Sequence, residues 1–202
     1  MAPIYSPTSE YRGTGPNVGM LWFTIKKHAA WRLHYDLRLE LQGVLKSWVL
    51  VEGPSADPAT VRRALLVDDH DLKYLRSERQ IPEGEPGAGT VMHWDDGTWI
   101  PVRKDSLRAF QEGRLEFTLC GKRSHGLWTL LRTNEKEGRR EVWLLIKGED
   151  EYTQPGRPNA LVDAHDVSIK TGRTMDEIRD GEPPKGQKGT SDDQLDLPPM
   201  SY

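Results

Sequence analysis

From Leu33 to Leu41 apolar and polar residues alternate without a break: Leu33, Tyr35, Leu37, Leu39 and Leu41 fall on one side, His34, Asp36, Arg38 and Glu40 on the other. A period of two is the signature of a β-strand, so this run commits the chain to a sheet with an apolar face to cover. Further short segments with glycine, proline or Asx punctuation follow the same pattern: Leu21–Ile25, Ser47–Val51, Arg63–Val67, Gly89–Trp94, Gly97–Pro101, Arg114–Cys120, Gly126–Arg132 and Glu141–Lys147. Nineteen glycines and seven tryptophans against three phenylalanines fit tight turns between short strands better than a helical bundle. The expected fold class is mainly β, an antiparallel sandwich or barrel. Asp95-Asp96-Gly97 predicts a hairpin turn, because Asp-Gly supplies the positive φ that such a turn needs. Asp105–Glu112 predicts one or two helical turns, and Thr174-Met175-Asp176-Glu177 has the spacing of a capping box opening a short helix to Arg179.

Composition bounds the remainder. No apolar run approaches the roughly 18 to 20 residues of a membrane span, and Met1–Pro16 lacks the halves of a signal peptide, so the expectation is no membrane and no secretion. The lone Cys120 excludes an internal disulfide or a cysteine-rich zinc site and points to a reducing, cytoplasmic compartment. The net charge of −3 is uneven: residues 148–202 carry 12 acidic and 6 basic side chains, leaving 22 basic against 19 acidic before them. A local basic groove is compatible with that balance; a uniformly basic nucleic-acid binder is not. The chain thus divides into an extended arm over 1–19, a β-domain over 20–150, and a C-terminal extension over 151–202. Beyond Gly181 the extension is too poor in apolar residues to order itself.

The polar side of the Leu33–Leu41 strand is unusual. A wet strand face is normally Lys, Glu, Thr and Ser, whereas His34, Asp36 and Arg38 supply two metal-ligand types and a phosphate fork. Same-face residues two apart lie roughly 6.6 Å apart, so His34 and Asp36 can converge on one ion. His28 is on the order of 20 Å away in an extended chain, so Ala29–Arg32 must bend for it to join them. A set of two histidines and one aspartate with open positions and no thiolate suits Mn²⁺ first and Zn²⁺ second. Downstream, Arg62, His70 and Tyr74 sit in a second cluster that, with Arg38, offers an imidazole and guanidinium forks to an anion. The Gly-rich run Ile81–Thr90 lacks the Lys-Ser/Thr ending of a nucleotide loop and is read as architecture.

Taken in order, the blocks His28–Glu40, Gly43–Trp48, Gly53-Pro54-Ser55, Asp69-His70, Ile81–Glu85, Gly87–Thr90 and Trp143–Lys147 resemble the 3′-phosphoesterase domain of bacterial and archaeal DNA ligase D. The likeness spans about residues 20 to 150, and Ser168–Thr174 resembles the segment that often follows this domain before a ligase module. The resemblance implies a compact antiparallel β-barrel with a few short helices and an extended, partly disordered C-terminal tail. It also implies a Mn²⁺-dependent hydrolase (Zn²⁺ or Co²⁺ as alternatives) that removes a 3′ ribonucleoside from DNA and then the remaining 3′-phosphate. His28, His34 and Asp36 would be the metal ligands. Arg38, Arg62, His70 and Tyr74 would surround the scissile phosphate, Arg38 and His70 as catalytic groups. The implied setting is DNA end joining in the nucleoid, on primer-template, nicked or broken ends, beside a separately encoded ATP-dependent DNA ligase and a Ku-like end-binding protein.

Three positions depart from that family's pattern. Glu52 stands where a lysine is usual, Pro86 replaces a tyrosine, and Trp31 replaces a small residue in the bend between the two histidines. Glu52 motivates the competing expectation of a catalytically weak DNA-end-binding scaffold of the same fold.

Overall fold

The computed structural model describes residues 21–185. The expected arm over 1–19 and the end of the tail lie outside the described residues. Nine strands run in chain order: β1 (Leu21–Ala29), β2 (Leu33–Leu41), β3 (Val44–Leu50), β4 (Val61–His70), β5 (Arg79–Ile81), β6 (Gly89–Pro101), β7 (Arg114–Gly121), β8 (His125–Glu137) and β9 (Arg140–Lys147). The sheet order β1-β2-β3-β4-β9-β8-β7-β6 is closed by antiparallel pairing of β6 with β1, giving an eight-stranded antiparallel barrel. β5 lies outside the closed ring, paired only with the start of β6. Closure leaves the ring without an open edge, as the expected barrel requires.

One side of each strand faces inward. Phe23 and Ile25 of β1, Leu37 and Leu39 of β2, and Trp48 of β3 join Trp94, Trp99, Trp128 and Trp143 in a single buried cluster. The tryptophans are the bulk that fills a small barrel; Trp48 meets Trp143 edge-to-face at 5.8 Å. Helix α1 (Ser106–Glu112) plugs the barrel end where β3 begins, stacking Phe110 on Trp143 at 5.4 Å. It starts at Asp105, whose carboxylate accepts from the Arg108 N–H, and stops at Gly113 with φ 81°. Helix α2 (Ala160–Asp163) covers the other end through Leu161 and Val162. Helix α3 (Met175–Arg179) opens with both reciprocal bonds of the Thr174–Glu177 capping box, as the sequence spacing predicts.

The expected hairpin at Asp95-Asp96-Gly97 does not form: β6 runs through these residues for 13 positions. The Asp95 carboxylate instead accepts the backbone N–H groups of Lys122, Arg123 and Ser124 at 2.9, 3.0 and 2.7 Å, holding the β7–β8 turn. Gly97 is needed because β7 passes so close that a Cβ there would sit 2.1 Å from the Cys120 carbonyl oxygen. Both residues therefore serve a neighbouring strand, and the register slips by one residue at Trp94. β5 has no apolar periodicity to predict it; its pairing with β6 comes from the backbone of Arg79, Gln80 and Ile81.

The outward side of β1, β2 and β6 is covered as well. The excursion from Asp71 to Ala88 and the C-terminal segment lie over it, so Thr24, Lys26, Asp36, Arg38 and His93 are buried. Lys26 Nζ donates to the carbonyls of Leu75 and Ser77, both at 2.8 Å, and to His93 Nδ1 at 2.6 Å. His93 Nε2 then donates to Asp96 at 3.0 Å. Glu78 accepts from the His93 N–H, from Arg173 and from the Thr171 hydroxyl, tying the excursion to the C-terminal segment. The extension out to Lys185 is thus bonded into the body of the fold, with Ile169 N–H donating to the His93 carbonyl at 3.0 Å.

Candidate active site

The bend demanded by His28 exists. β1 and β2 form a hairpin turning at Ala30–Arg32, and His28 and His34 are direct cross-strand partners. Lys26 faces Asp36 one step away, and Thr24 faces Arg38. Because cross-strand partners share a face, the alternation of β2 places His34, Asp36 and Arg38 on the outward side together with His28.

His28, His34 and Asp36 each present a ligand atom within 4.8 Å of the others. His34 Nε2 lies 3.3 Å from one Asp36 oxygen, and His28 Nδ1 lies 3.9 Å from the other. The far nitrogen of each ring is committed to a backbone carbonyl: His28 Nε2 donates to Gly87 at 3.0 Å and His34 Nδ1 donates to Arg32 at 2.9 Å. In its neutral form each ring is therefore held in the tautomer whose bare nitrogen faces Asp36, the arrangement by which metal-binding imidazoles are oriented. Two imidazole lone pairs and a carboxylate fit a divalent ion with positions left open.

Electrostatics favour the ligating protonation states of His28 and Asp36 and oppose that of His34. Burial lowers the proton affinity of His28 and outweighs the opposing charge of Asp36. Burial raises that of Asp36, but the His34 hydrogen bond and the Arg38 charge more than reverse it, so its carboxyl lies below the usual range. For His34 burial opposes the charged form, and the Asp36 contact outweighs burial, raising its pKa. Protons are thus easiest to lose at His28 and Asp36, and metal binding would displace one from His34 at mildly acid pH.

Beside the cluster, Arg38 Nη2 donates to Asp36 at 3.1 Å, while its Nε is buried without a partner. Arg38 also faces Ser47 across to β3, and Ser47 Oγ lies 3.0 Å from His70 Nδ1. The Ser47 hydroxyl donates its proton to the Leu45 carbonyl at 2.9 Å, so it accepts from His70 Nδ1–H and leaves His70 Nε2 bare. Burial, with the Arg38 charge second, depresses the His70 pKa. Tyr74, in a 3-10 turn over Leu72–Tyr74, meets the His70 ring edge-on at 6.4 Å.

Arg62 does not join this group. It shares a side of β4 with Ala64 and Leu66, which pair with the inward-facing Leu50 and Trp48. It also stands eight residues from His70, on the order of 26 Å along the strand. Its Nη2 donates to the Pro158 carbonyl at 2.7 Å and to Asn159 at 2.6 Å, and its Nη1 pairs with Glu52 at 3.1 Å. Glu52 is accordingly the counter-ion of an arginine at the barrel end, separate from the histidine cluster. Sequence reasoning missed Ser47, which carries no signal of its own. Sequence alone also reads the Gly-rich run as architecture, whereas its Gly87 carbonyl orients His28.

The family model described as "DNA Ligase D 3'-phosphoesterase domain" matches residues 26–132. The "Multifunctional non-homologous end joining protein LigD" of Pseudomonas aeruginosa is 44% identical over 149 residues, 72% of this chain and 18% of that protein. The protein of the same name from Mycolicibacterium smegmatis is 35% identical over 64% of this chain and 17% of its own length. The "Multifunctional non-homologous end joining DNA repair protein LigD" of Mycobacterium tuberculosis is 38% identical over 55% of this chain and 14% of its own. The matched region is thus less than a fifth of each of these relatives. Since the matched span covers more than half of the chain and takes in the His28 end of β1, all of β2, β3 and β4, and the Gly-rich excursion that shapes the site, this chain belongs to the DNA ligase D 3′-phosphoesterase domain family.

Proposed function

We propose that this chain is a metal-dependent phosphoesterase that trims the 3′ ends of DNA, removing a terminal ribonucleoside and then the 3′-phosphate left behind. One observation carries the reading: two bare imidazole nitrogens and a carboxylate converge within 4.8 Å, beside an arginine with an unpartnered buried nitrogen. His28, His34 and Asp36 would hold the ion. Mn²⁺ is the first choice, with Zn²⁺ and Co²⁺ as alternatives. When bound, such an ion supplies Lewis acidity to a phosphoryl oxygen and lowers the pKa of an attacking water.

The protein's own groups do the rest. Arg38 directs guanidinium donors at the equatorial phosphoryl oxygens and neutralises charge that grows there in the transition state. His70, neutral with a bare Nε2, takes a proton from the reacting oxygens and returns it to the departing one. Ser47 fixes the His70 tautomer, and the Tyr74 edge limits how the ring turns. Asp36 restrains Arg38 through one oxygen and would offer a carboxylate ligand to the ion. Burial of this face removes competing water, which strengthens each of these interactions. Arg62 is left out of the chemistry and is assigned to the barrel end. The partners we propose are primer-template, nicked or broken DNA ends, a Ku-like end-binding protein and an ATP-dependent ligase, in the cytoplasm. No helix among the described residues is long and apolar enough to cross a membrane.

The test uses the purified chain with Mn²⁺ and a primer-template ending in one 3′ ribonucleotide, then one ending in a 3′-phosphate. Conversion of both to a 3′-hydroxyl, lost in His34→Ala and retained in the exposed variant Val61→Thr, is the expected result. Binding without conversion by the unaltered chain would replace this reading with the end-binding scaffold.

A further inference from the structure

Six of the seven tryptophans lie within the barrel body or against it; the seventh does not. Trp48, Trp94, Trp99, Trp128 and Trp143 are no more than 1% exposed, while Trp31 is 94% exposed at the turn of the β1–β2 hairpin. The turn that carries it is held on both sides. The Arg32 carbonyl accepts from His34, Ala29 pairs with Leu33, and Gly89 lets β6 pass so close that a Cβ there would lie 2.2 Å from the Ala29 carbonyl oxygen. A large aromatic side chain is thus displayed to solvent on a rigid hairpin whose two arms bear His28 and His34.

We propose that the Trp31 indole stacks on a nucleobase near the 3′ end of the DNA and so sets the position of that end against the site. The inference rests on the proposed function and adds a substrate contact to it. Reach supports the assignment. Trp31 is three residues from each histidine, at most roughly 11 Å along the chain. A nucleic-acid strand advances about 3.4 Å per nucleotide, so the indole lies within about three nucleotides of a phosphate held beside His28 and His34. Chemistry supports it too: the exposed Arg32 beside the indole provides the cation that accompanies stacking platforms along a phosphate backbone. Size argues against a protein partner. Leu33, 46% exposed, is the one other large exposed hydrophobic of this hairpin, and a protein interface buries about 800 Å² per side. A single indole matches the face of one base.

Fluorescence anisotropy would measure binding of primer-templates ending in a 3′-hydroxyl, intact or with an abasic residue at each of the three terminal primer positions in turn. With intact ends Trp31→Ala is expected to bind about tenfold more weakly, and Trp31→Phe to recover most of the loss. With the abasic residue at the stacked position, wild type and Trp31→Ala should bind alike. Acrylamide quenching, which in the free protein reads mainly the exposed indole, should fall when intact DNA is added. Mn²⁺ affinity should be unchanged in Trp31→Ala, showing that the hairpin and its histidines are intact. Equal binding of intact ends by wild type and Trp31→Ala, or an equal loss at every abasic position, would overturn the stacking role whatever the activity. Failure of the unaltered chain to convert 3′ ends would overturn the enzyme reading and leave this comparison standing.

Discussion

His93 couples the stability of the cover over the active face to pH. Its Nδ1 accepts from the Lys26 ammonium at 2.6 Å and its Nε2 donates to Asp96 at 3.0 Å, all within a buried site. A proton added at Nδ1 would set two donors against each other and repel Lys26. Burial first, and the Lys26 charge second, therefore push the pKa of His93 down to about 4, against the pull of Asp96. In the unfolded chain the same imidazole titrates near 6.5. Between these values the unfolded chain binds more protons than the folded one. The stabilisation is complete above about pH 6.5 and is lost as pH falls toward 4. At 1.36 kcal/mol per pH unit the loss is about 2 kcal/mol by pH 5 and about 3 kcal/mol by pH 4. Urea unfolding at intervals from pH 7.5 to 4.5 would measure it, with His93→Asn as the reference that retains an acceptor for Lys26 but cannot titrate. The variant should be the less stable protein at pH 7.5, and the gap should narrow by about 2 kcal/mol at pH 5. Taking the difference cancels the other histidines, including His28, His70 and His165, whose pKa values are also depressed. Curves that stay parallel across this range would show that His93 is not held neutral between Lys26 and Asp96, and the reasoning would fail.

Gly89→Ala should cost about 3 kcal/mol, because φ is +130° and the new Cβ would meet the Ala29 carbonyl oxygen; denaturation and Mn²⁺ titration should both register the hairpin's displacement. Thr174→Ala removes one half of the α3 capping box and should lower stability by about 1 kcal/mol, a fall of about 2–4 °C in Tm by calorimetry. Glu52→Gln should change stability by about 1 kcal/mol or less, since the exposed carboxylate is screened and Arg62 keeps its Pro158 and Asn159 acceptors; a larger loss in unfolding experiments would show that the ion pair organises the barrel end.

Much of this protein was written in short stretches of its chain. The period-two run of β2, the Asp105 and Thr174 caps and the ligand chemistry of His28, His34 and Asp36 each depend on residues within one strand or turn, where geometry is local and repeats. The separation of Arg62 from His70, by contrast, cannot be read from parity, which the two share along β4; the register shift between Val67 and His70 turns them to opposite sides. Only the folded barrel decided the rest. Asp95-Asp96-Gly97 has the composition of a turn, yet a carboxylate that caps three N–H groups of the β7–β8 turn keeps it inside β6. His28 met His34 because hairpin register, closed against β6, placed them opposite each other. The polar face became a dry site because the Asp71–Ala88 excursion crosses it and lends it the Gly87 carbonyl. Such contacts join residues far apart in the chain, and no local preference encodes them. Their partners become neighbours only when eight strands close in one register.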